Sequence, residues 1–159
     1  MLATEGTFSS AIDSSGRFQF PSVLVKEVRP EAEGRFVMNR STEKCITLYP
    51  MDVWKVYRER LSRVNVFQPA MRQAYRYFMG SATEVSLDKK NRMLIPKPLA
   101  QYAELEKDLL IVCTPAFIEL WNPDLYEASL QQFAANDADA MNEIANQIFG
   151  GGDFYDSLS

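Results

Sequence analysis

An internal duplication is the feature that most constrains the fold of this chain. The pentad Asp13-Ser14-Ser15-Gly16-Arg17 has a counterpart 75 positions later in Asp88-Lys89-Lys90-Asn91-Arg92, and each is followed by three residues and a proline. A second block, residues 46–49, resembles residues 118–121 at an offset of 72. Two matching blocks with a small change in spacing indicate a duplicated unit. The sequence therefore predicts two similar halves that pack together or exchange strands, since each is too short to be very stable alone.

Each repeated pentad has the composition of a tight turn between two strands. An Asp at the first position of such a turn accepts hydrogen bonds from backbone amides, and a Gly at the fourth adopts positive φ without strain. Asn91 occupies the place of Gly16 in the second copy, and Asn tolerates positive φ better than most residues. For one copy, a turn with a solvated Arg is the simpler interpretation. The repeated Asp-to-Arg spacing instead favours a shared function.

The residue content excludes several kinds of active site. The chain has 159 residues, of which 47% are hydrophobic. It contains no His, which excludes catalytic triads that need an imidazole and metal sites built from His. Its two cysteines, Cys45 and Cys113, form no CxxC pair, which argues against a zinc framework and for reduced thiols. The first residues do not resemble a signal peptide, and the longest apolar run, 109–113, is too short to cross a membrane. We expect a soluble cytoplasmic protein without metal, cofactor or membrane partner.

Charge is distributed unevenly along the chain. The formal net charge is −4, but residues 127–159 contain six acidic and no basic residues, so the rest of the chain carries +2. A near-neutral body with a separate acidic end is compatible with nucleic-acid binding. Residues 52–78 contain six basic and two acidic residues. A solvated helical face explains this excess better than direct contact with nucleic acid does.

Hydrophobic periodicity predicts the same succession of elements in both halves. In the first half, strand arms at 7–12 and 17–20 flank the turn, followed by a short helix (23–27), a loop (30–34) and a hairpin with strands at 36–38 and 45–49. Two helices, 52–63 and 69–79, then connect the halves, with Asp52 as the predicted cap of the first. The second half repeats the plan with strands at 83–87, 93–95, 109–113 and 117–121, a helix reaching Glu104 and a helix capped by Asp124.

A final helix is predicted over residues 137–149. Its apolar stripe consists of Met141, Ile144, Ala145, Ile148 and Phe149. This stripe is equally suited to packing on its own chain and to docking on a neighbouring subunit. The acidic residues 150–159 are expected to form a flexible tail.

The combined motifs resemble those of the MraZ family of bacterial transcriptional regulators. The residues that carry the resemblance are Asp13-x-x-x-Arg17 with Phe20-Pro21, Leu48-Tyr49-Pro50 before Trp54, Gly80-x-Ala82-x-Glu84 before Leu87-Asp88, Asn91-Arg92-Met93-Leu94-Ile95-Pro96, and Glu119-Leu120-Trp121. They cover roughly residues 6–130. Several motifs in order over this length are far more specific than a lone turn pentad.

The resemblance implies an α+β, β-rich fold built from two tandem SpoVT/AbrB-like swapped-hairpin half-domains. These would form a small pseudo-twofold β-barrel flanked by helices. The implied boundaries are 6–52 for the first repeat, 53–80 for linking helices, 81–124 for the second repeat, 125–149 for C-terminal helices and 150–159 for the tail. Ring-like homo-oligomers are also implied.

For function, the resemblance implies sequence-specific binding to double-stranded DNA, at short repeated sites upstream of a cell-division and cell-wall operon, in a nucleoid-associated protein. The family's motif is Asp-x-x-x-Arg in each half, although the family often has Lys where Ser15 stands and Gly where Asn91 stands. The implied DNA-binding residues are Asp13, Ser15, Gly16 and Arg17 in the first loop and Asp88, Lys89, Lys90, Asn91 and Arg92 in the second. An Arg fork fits guanine or phosphate, while Lys side chains contact phosphates without specifying sequence.

Two other classes of function compete with DNA binding. AbrB-like folds also occur in antitoxins, so a non-DNA interaction protein that uses the acidic tail, or an assembly scaffold, is one alternative. An enzyme with Asp13 and Asp88 as paired carboxylates is the other. It is disfavoured because a turn role explains each Asp and because the sequence gives no sign of a substrate pocket. We therefore expect no catalytic residues and no small-molecule substrate.

Overall fold

The two halves of the chain contain the same succession of elements in this computed structural model, which describes residues 2–149 without the side chains of residues 29–32 and 149. The first half consists of β1 (Gly6–Ala11), β2 (Arg17–Gln19), α1 (Ser22–Ala32), β3 (Arg35–Arg40), β4 (Ile46–Pro50), α2 (Met51–Leu61) and α3 (Pro69–Met79). The second half consists of β5 (Thr83–Ser86), β6 (Arg92–Leu94), α4 (Lys97–Tyr102), β7 (Asp108–Cys113), β8 (Ile118–Trp121), α5 (Pro123–Asn136) and α6 (Ala138–Phe149). The predicted tail, 150–159, lies outside the described residues.

The strands form two antiparallel sheets, so the α+β, β-rich class is confirmed. One sheet has six strands in the order β1-β7-β8-β4-β3-β5, and the other is a two-stranded ribbon of β2 and β6. No closed barrel is found among residues 2–149, in contrast to the expectation. Of the described residues, those up to Pro123 form one unit and those from Asp124 onward form a second.

Strand pairing crosses between the halves in a symmetric way. Strand β1 of the first half pairs with β7 of the second, and the equivalent strand β5 of the second half pairs with β3 of the first. Two further pairings, β2 with β6 and β4 with β8, join equivalent strands directly. Each half therefore completes its sheet with strands from the other, and neither half has all of its backbone hydrogen bonds on its own.

The core lies on one face of the large sheet and beneath the ribbon. Alternate residues of β3, β4, β7 and β8 point to it, as period-two strands require. Its largest fully buried side chains are Phe18, Phe20, Leu24, Phe36, Met38, Ile46, Leu48, Met93, Leu109, Ile111, Ile118 and Leu120. Burial of one such side chain contributes about 1.5–3 kcal/mol. Because both halves supply these residues, the core stabilises the halves only as a pair.

Several predicted boundaries are wrong for identifiable reasons. The arms of the first predicted hairpin diverge into different sheets and are joined by an isolated bridge between Ile12 and Phe18 and not by a continuous ladder. Helix α1 continues to Ala32, where a loop was expected, and ends at two residues with positive φ, Glu33 and Gly34. Neither Asp52 nor Asp124 caps a helix, because α2 and α5 begin one residue earlier. Both carboxylates lie in the first turn, where the helix dipole favours negative charge.

Helix α3 packs against the rest of the first unit through its C-terminal end. The Arg40 guanidinium lies 5.4 Å from the ring centroid of Tyr77 on α3 and 5.7 Å from that of Tyr102 on α4. The two tyrosine hydroxyls are 2.6 Å apart, and the Tyr102 hydroxyl also lies 3.1 Å from the Ser41 carbonyl and 2.8 Å from the Glu43 carbonyl. None of the described helices is both long and apolar enough to span a membrane.

Candidate nucleic-acid interface

The first repeated loop is a turn held closed by its own aspartate. The Asp13 amide donates to the Arg17 carbonyl at 2.8 Å, and the Gly16 amide donates to the Asp13 carbonyl at 3.0 Å. One Asp13 carboxylate oxygen accepts from the amides of Ser15 and Arg17 and from the Ser15 hydroxyl, at 2.9, 3.0 and 2.6 Å. Gly16 has a φ of 82°. The predicted turn is confirmed, and the Ser15 hydroxyl helps to hold it.

The second loop repeats this geometry. The Asp88 amide donates to the Arg92 carbonyl at 2.9 Å, and the Asn91 amide donates to the Asp88 carbonyl at 3.0 Å. The Asp88 carboxylate accepts from the amides of Lys90 and Arg92, each at 2.8 Å. Asn91 has a φ of 58°, so it adopts the left-handed conformation that its place in the repeat predicted. The side chains of Lys89 and Lys90 are exposed at the tip.

Hydrogen bonding favours the ionised form of both aspartates. The Ser15 hydroxyl and then the Arg17 amide hold the pKa of Asp13 below its usual value. The Arg92 and Lys90 amides do the same for the pKa of Asp88, with help from the Arg92 side chain. Both groups are therefore carboxylates at neutral pH. A lowered pKa suits a structural acceptor of hydrogen bonds and does not suit a general acid.

Pairing of β2 with β6 brings the two loops together. At the centre of this ribbon Phe18 pairs with Met93, and both side chains are buried. Arg17 and Arg92 are the neighbours of this central pair, so their side chains leave the opposite, outward face of the ribbon. Both predicted arginines thus lie on one face, at diagonal positions.

The loops also bind each other's strands. The Phe20 amide donates to the Asn91 carbonyl at 2.9 Å, and the equivalent Ile95 amide donates to the Gly16 carbonyl at 3.0 Å. These bonds fix the spacing of the two turns through main-chain atoms. Such a rigid support is what a pre-organised recognition surface needs.

The two arginines differ in their side-chain contacts. Arg92 donates from Nε to Asp88 Oδ2 at 3.0 Å, and its Nη1 lies 3.9 Å from Asp13 Oδ2. For Arg17, no side-chain hydrogen bond or ion pair is formed with any residue in the described range 2–149. The second loop therefore holds its guanidinium in place, while the first loop does not hold the Arg17 guanidinium through any side chain of the described residues.

Sequence reasoning missed three residues of this surface. The Gln19 side chain donates to the carbonyls of Lys90 and Asn91 at 3.0 and 3.2 Å, and so links the ribbon to the second loop. Its counterpart Leu94 is 43% exposed. The exposed Lys97 lines a cleft of about 390 Å³ under the first loop. The 75-residue offset makes Gln19 and Leu94 equivalent positions of the repeat. One side chain is polar and the other apolar, so the sequence comparison did not indicate that both belong to this surface.

Among residues 2–149 no group of three or more Cys, Asp or Glu side chains is arranged to hold a metal ion. The polar groups of both loops are instead directed to backbone amides and to arginine. What the surface offers to a ligand is cationic donors on a fixed ribbon.

The family model and the curated relatives that match this chain carry the same family name. A family model described as "MraZ protein, putative antitoxin-like" matches residues 3–77 and, a second time, residues 78–147. A curated relative from Christiangramia forsetii named "Transcriptional regulator MraZ" is 31% identical over 155 residues, which is 97% of each chain. Relatives of the same name from Thermomicrobium roseum and Desulfitobacterium hafniense (strain DCB-2) are 32% and 33% identical. They cover 90% and 89% of this chain and 98% and 96% of their own.

Proposed function

Because the chain belongs to the MraZ family, we propose that it regulates transcription by binding double-stranded DNA through its two Asp-x-x-x-Arg loops. The observation that carries the proposal is the placement of Arg17 and Arg92 on one outward face of a two-stranded ribbon. A two-stranded ribbon fits the major groove, where Arg binds guanine O6 and N7 with two hydrogen bonds. The curated relatives are named as transcriptional regulators, which supports this reading.

Each residue of the proposed site has a defined role. Arg17 and Arg92 contact base edges, and Lys89 and Lys90 contact phosphates, which positions the protein without specifying sequence. Asp13, Ser15 and Asp88 hold the turns through the bonds described above. Gly16 and Asn91 provide the left-handed residue that lets each turn close.

The proposal also covers the architecture of the two halves, the oligomer and the DNA sites that it binds. The crossed strand pairing supports two AbrB-like swapped-hairpin halves, with repeats at 6–52 and 81–124. We further propose a homo-oligomer that presents several loop pairs to short repeated sites upstream of a cell-division operon, in association with the nucleoid. Repetition of the site lets modest single contacts combine into tight binding.

Fluorescence anisotropy with a duplex from upstream of the protein's own gene, and with a shuffled duplex, tests the proposal. Arg17→Ala and Arg92→Ala should each weaken specific binding by about 1–3 kcal/mol. Arg63→Ala is the matched control, because it removes an exposed Arg that pairs with Glu59 of α2 and belongs to neither loop. Binding should also weaken with salt, at a slope of about −0.9 per phosphate contacted. Equal affinity for both duplexes, or full affinity in both ribbon variants, would refute the proposal.

An antitoxin-like role is the second candidate, and the description of the matching family model favours it. In that case the chain would bind a protein partner and would not discriminate between DNA sequences. The same titration separates the two candidates, since only DNA recognition predicts a loss that is confined to the two ribbon arginines. Removal of the acidic residues 150–159 should leave specific DNA binding in place under our proposal.

A further inference from the structure

The helix pairs that follow the two repeats carry opposite charge. Helices α2 and α3 follow β4, and helices α5 and α6 follow the equivalent strand β8. Residues 51–79 contain six basic and two acidic residues, whereas residues 123–149 contain five acidic and no basic residues. Two helix pairs with the same place in the repeat have thus become electrostatically complementary. Two basic pairs or two acidic pairs would repel each other, so electrostatics favours contact between a basic helix pair and an acidic one.

The basic pair presents an apolar face to solvent. No residue of α3 is buried, and Phe67, just before it, is 88% exposed. Met71 and Tyr75 continue this stripe at four-residue spacing and are also exposed. We call Phe67, Met71 and Tyr75 the α3 face. Exposed apolar stripes of this kind mark interaction sites in soluble proteins.

The acidic pair presents a second apolar face. On α6, Met141, Ile144 and Ile148 lie at three- and four-residue spacing and are 36%, 47% and 57% exposed. We call them the α6 face. The helices α3 and α6 have 11 and 12 residues, so each is about 17 Å long and the two helices match in length.

We propose that the α3 face of one copy packs against the α6 face of a second copy. This inference rests on the homo-oligomer of the proposed function and names the surface that builds it. The apolar stripes supply the affinity, since exposed ion pairs contribute little, and the opposite net charges guide the two helix pairs together. Because two different surfaces meet, the contact is head-to-tail. Such a contact propagates into a closed ring or a filament.

Two variants that each remove one surface test this directly. Tyr75→Glu places a charge in the α3 face, and Ile144→Glu places one in the α6 face. By light scattering after size exclusion, the wild type should exceed one 18.1-kDa chain, and each variant alone should be a single chain. A mixture of the two variants should form a 1:1 complex and stop there, because one intact face of each kind remains. Val23→Glu on α1 is the matched control, since Val23 is 46% exposed and lies outside both faces.

Other outcomes would overturn the inference. Variants that keep the wild-type size would place the contact elsewhere. Loss of assembly without a 1:1 complex on mixing would indicate packing within one chain, and a Tyr75→Glu protein that keeps its size but loses DNA affinity would make the α3 face a DNA surface. A monomeric wild type would also refute it. Dependence of single-site DNA binding on Arg17 and Arg92 would show separately whether the proposed function survives.

Discussion

The guanidinium of Arg92 lies 3.9 Å from the carboxylate of Asp13, so a side chain of the second loop reaches the first. The contact is long, and both groups are more than a third exposed, so its contribution to stability is small. Its importance is geometric. Together with the 3.0 Å bond from Arg92 Nε to Asp88, it places one guanidinium between two carboxylates. The reciprocal contact, from Arg17 to Asp88, is not among the ion pairs within residues 2–149.

Because the carboxylates contact the side chain of Arg92 and not that of Arg17, we expect substitutions of Asp13 and Asp88 to have unequal effects on DNA affinity. Asp88→Asn weakens the 3.0 Å charge-assisted bond that orients the Arg92 guanidinium. Asp13→Asn affects that guanidinium only through a 3.9 Å contact and breaks no side-chain bond of Arg17. Specific DNA affinity should therefore fall more in Asp88→Asn, by about 1 kcal/mol beyond the loss in Asp13→Asn. Anisotropy titrations at fixed salt measure this. Equal losses in the two variants would show that the aspartates act only as turn residues.

The left-handed conformation of Asn91 gives a stability test of the second turn. Asn91→Gly should be neutral or slightly stabilising, because Gly adopts a φ of 58° without strain. Asn91→Val should destabilise the protein by about 1–3 kcal/mol, since a β-branched residue is strained at positive φ. Thermal melts of the wild type and the two variants measure these changes in stability. A Val variant that melts above the Gly variant would contradict the geometry of the turn.

The turns were predictable from the sequence because their chemistry is local. Asp13 and Asp88 bond to amides two and four residues ahead, and Asn91 replaces Gly16 at a position whose conformation depends on its own loop. The later hairpin of β3 and β4 was equally predictable, since two short apolar segments are joined by a short polar turn. In both cases a few consecutive residues determine the local structure.

Strand exchange was not predictable in detail, because it depends on residues far apart in the chain. The pairing of β1 with β7 joins Phe8 to Ile111, and nothing near Phe8 distinguishes this partner from β2. For the same reason the sequence did not reveal that Arg17 and Arg92 share one face. That relation follows from the β2–β6 ribbon, in which Phe18 meets Met93 in the core. The link from Gln19 to the second loop depends on the same pairing.

The Tyr102 hydroxyl gives a third prediction, on the attachment of α3 and α4. Tyr102→Phe removes its contacts to the Ser41 and Glu43 carbonyls and to the Tyr77 hydroxyl. We expect a loss of about 1–2 kcal/mol and a fall in Tm of about 2–8 °C. Tyr77→Phe is the control, because it leaves Tyr102 in contact with both carbonyls and should have a smaller effect. The reverse order of the two melts would contradict this account.

Glu119 gives a prediction on pH dependence. It lies on β8 between Thr47 of β4 and Val112 of β7, on the sheet face opposite the main core. Burial raises the pKa of its carboxyl, and the charge of Glu43 adds to this, while a hydrogen bond from the Trp121 indole opposes it. The folded protein therefore binds this proton more tightly than the unfolded chain does. Its contribution to stability is favourable at acidic pH and is lost as the pH rises through the raised pKa.

Glu119→Gln should remove this dependence, because an amide stays neutral and its oxygen still accepts from the Trp121 Nε1, 2.9 Å away in the wild type. The variant should melt at a higher temperature than the wild type at pH 7–8. The advantage should shrink on acidification and vanish below about pH 4, where a Glu is protonated in both states. Glu5→Gln is a control at an exposed position, and its difference from the wild type should not follow this profile. A Gln variant that gains stability relative to the wild type as the pH falls would show that the Glu119 charge is stabilised in the folded protein, with the opposite sign of linkage.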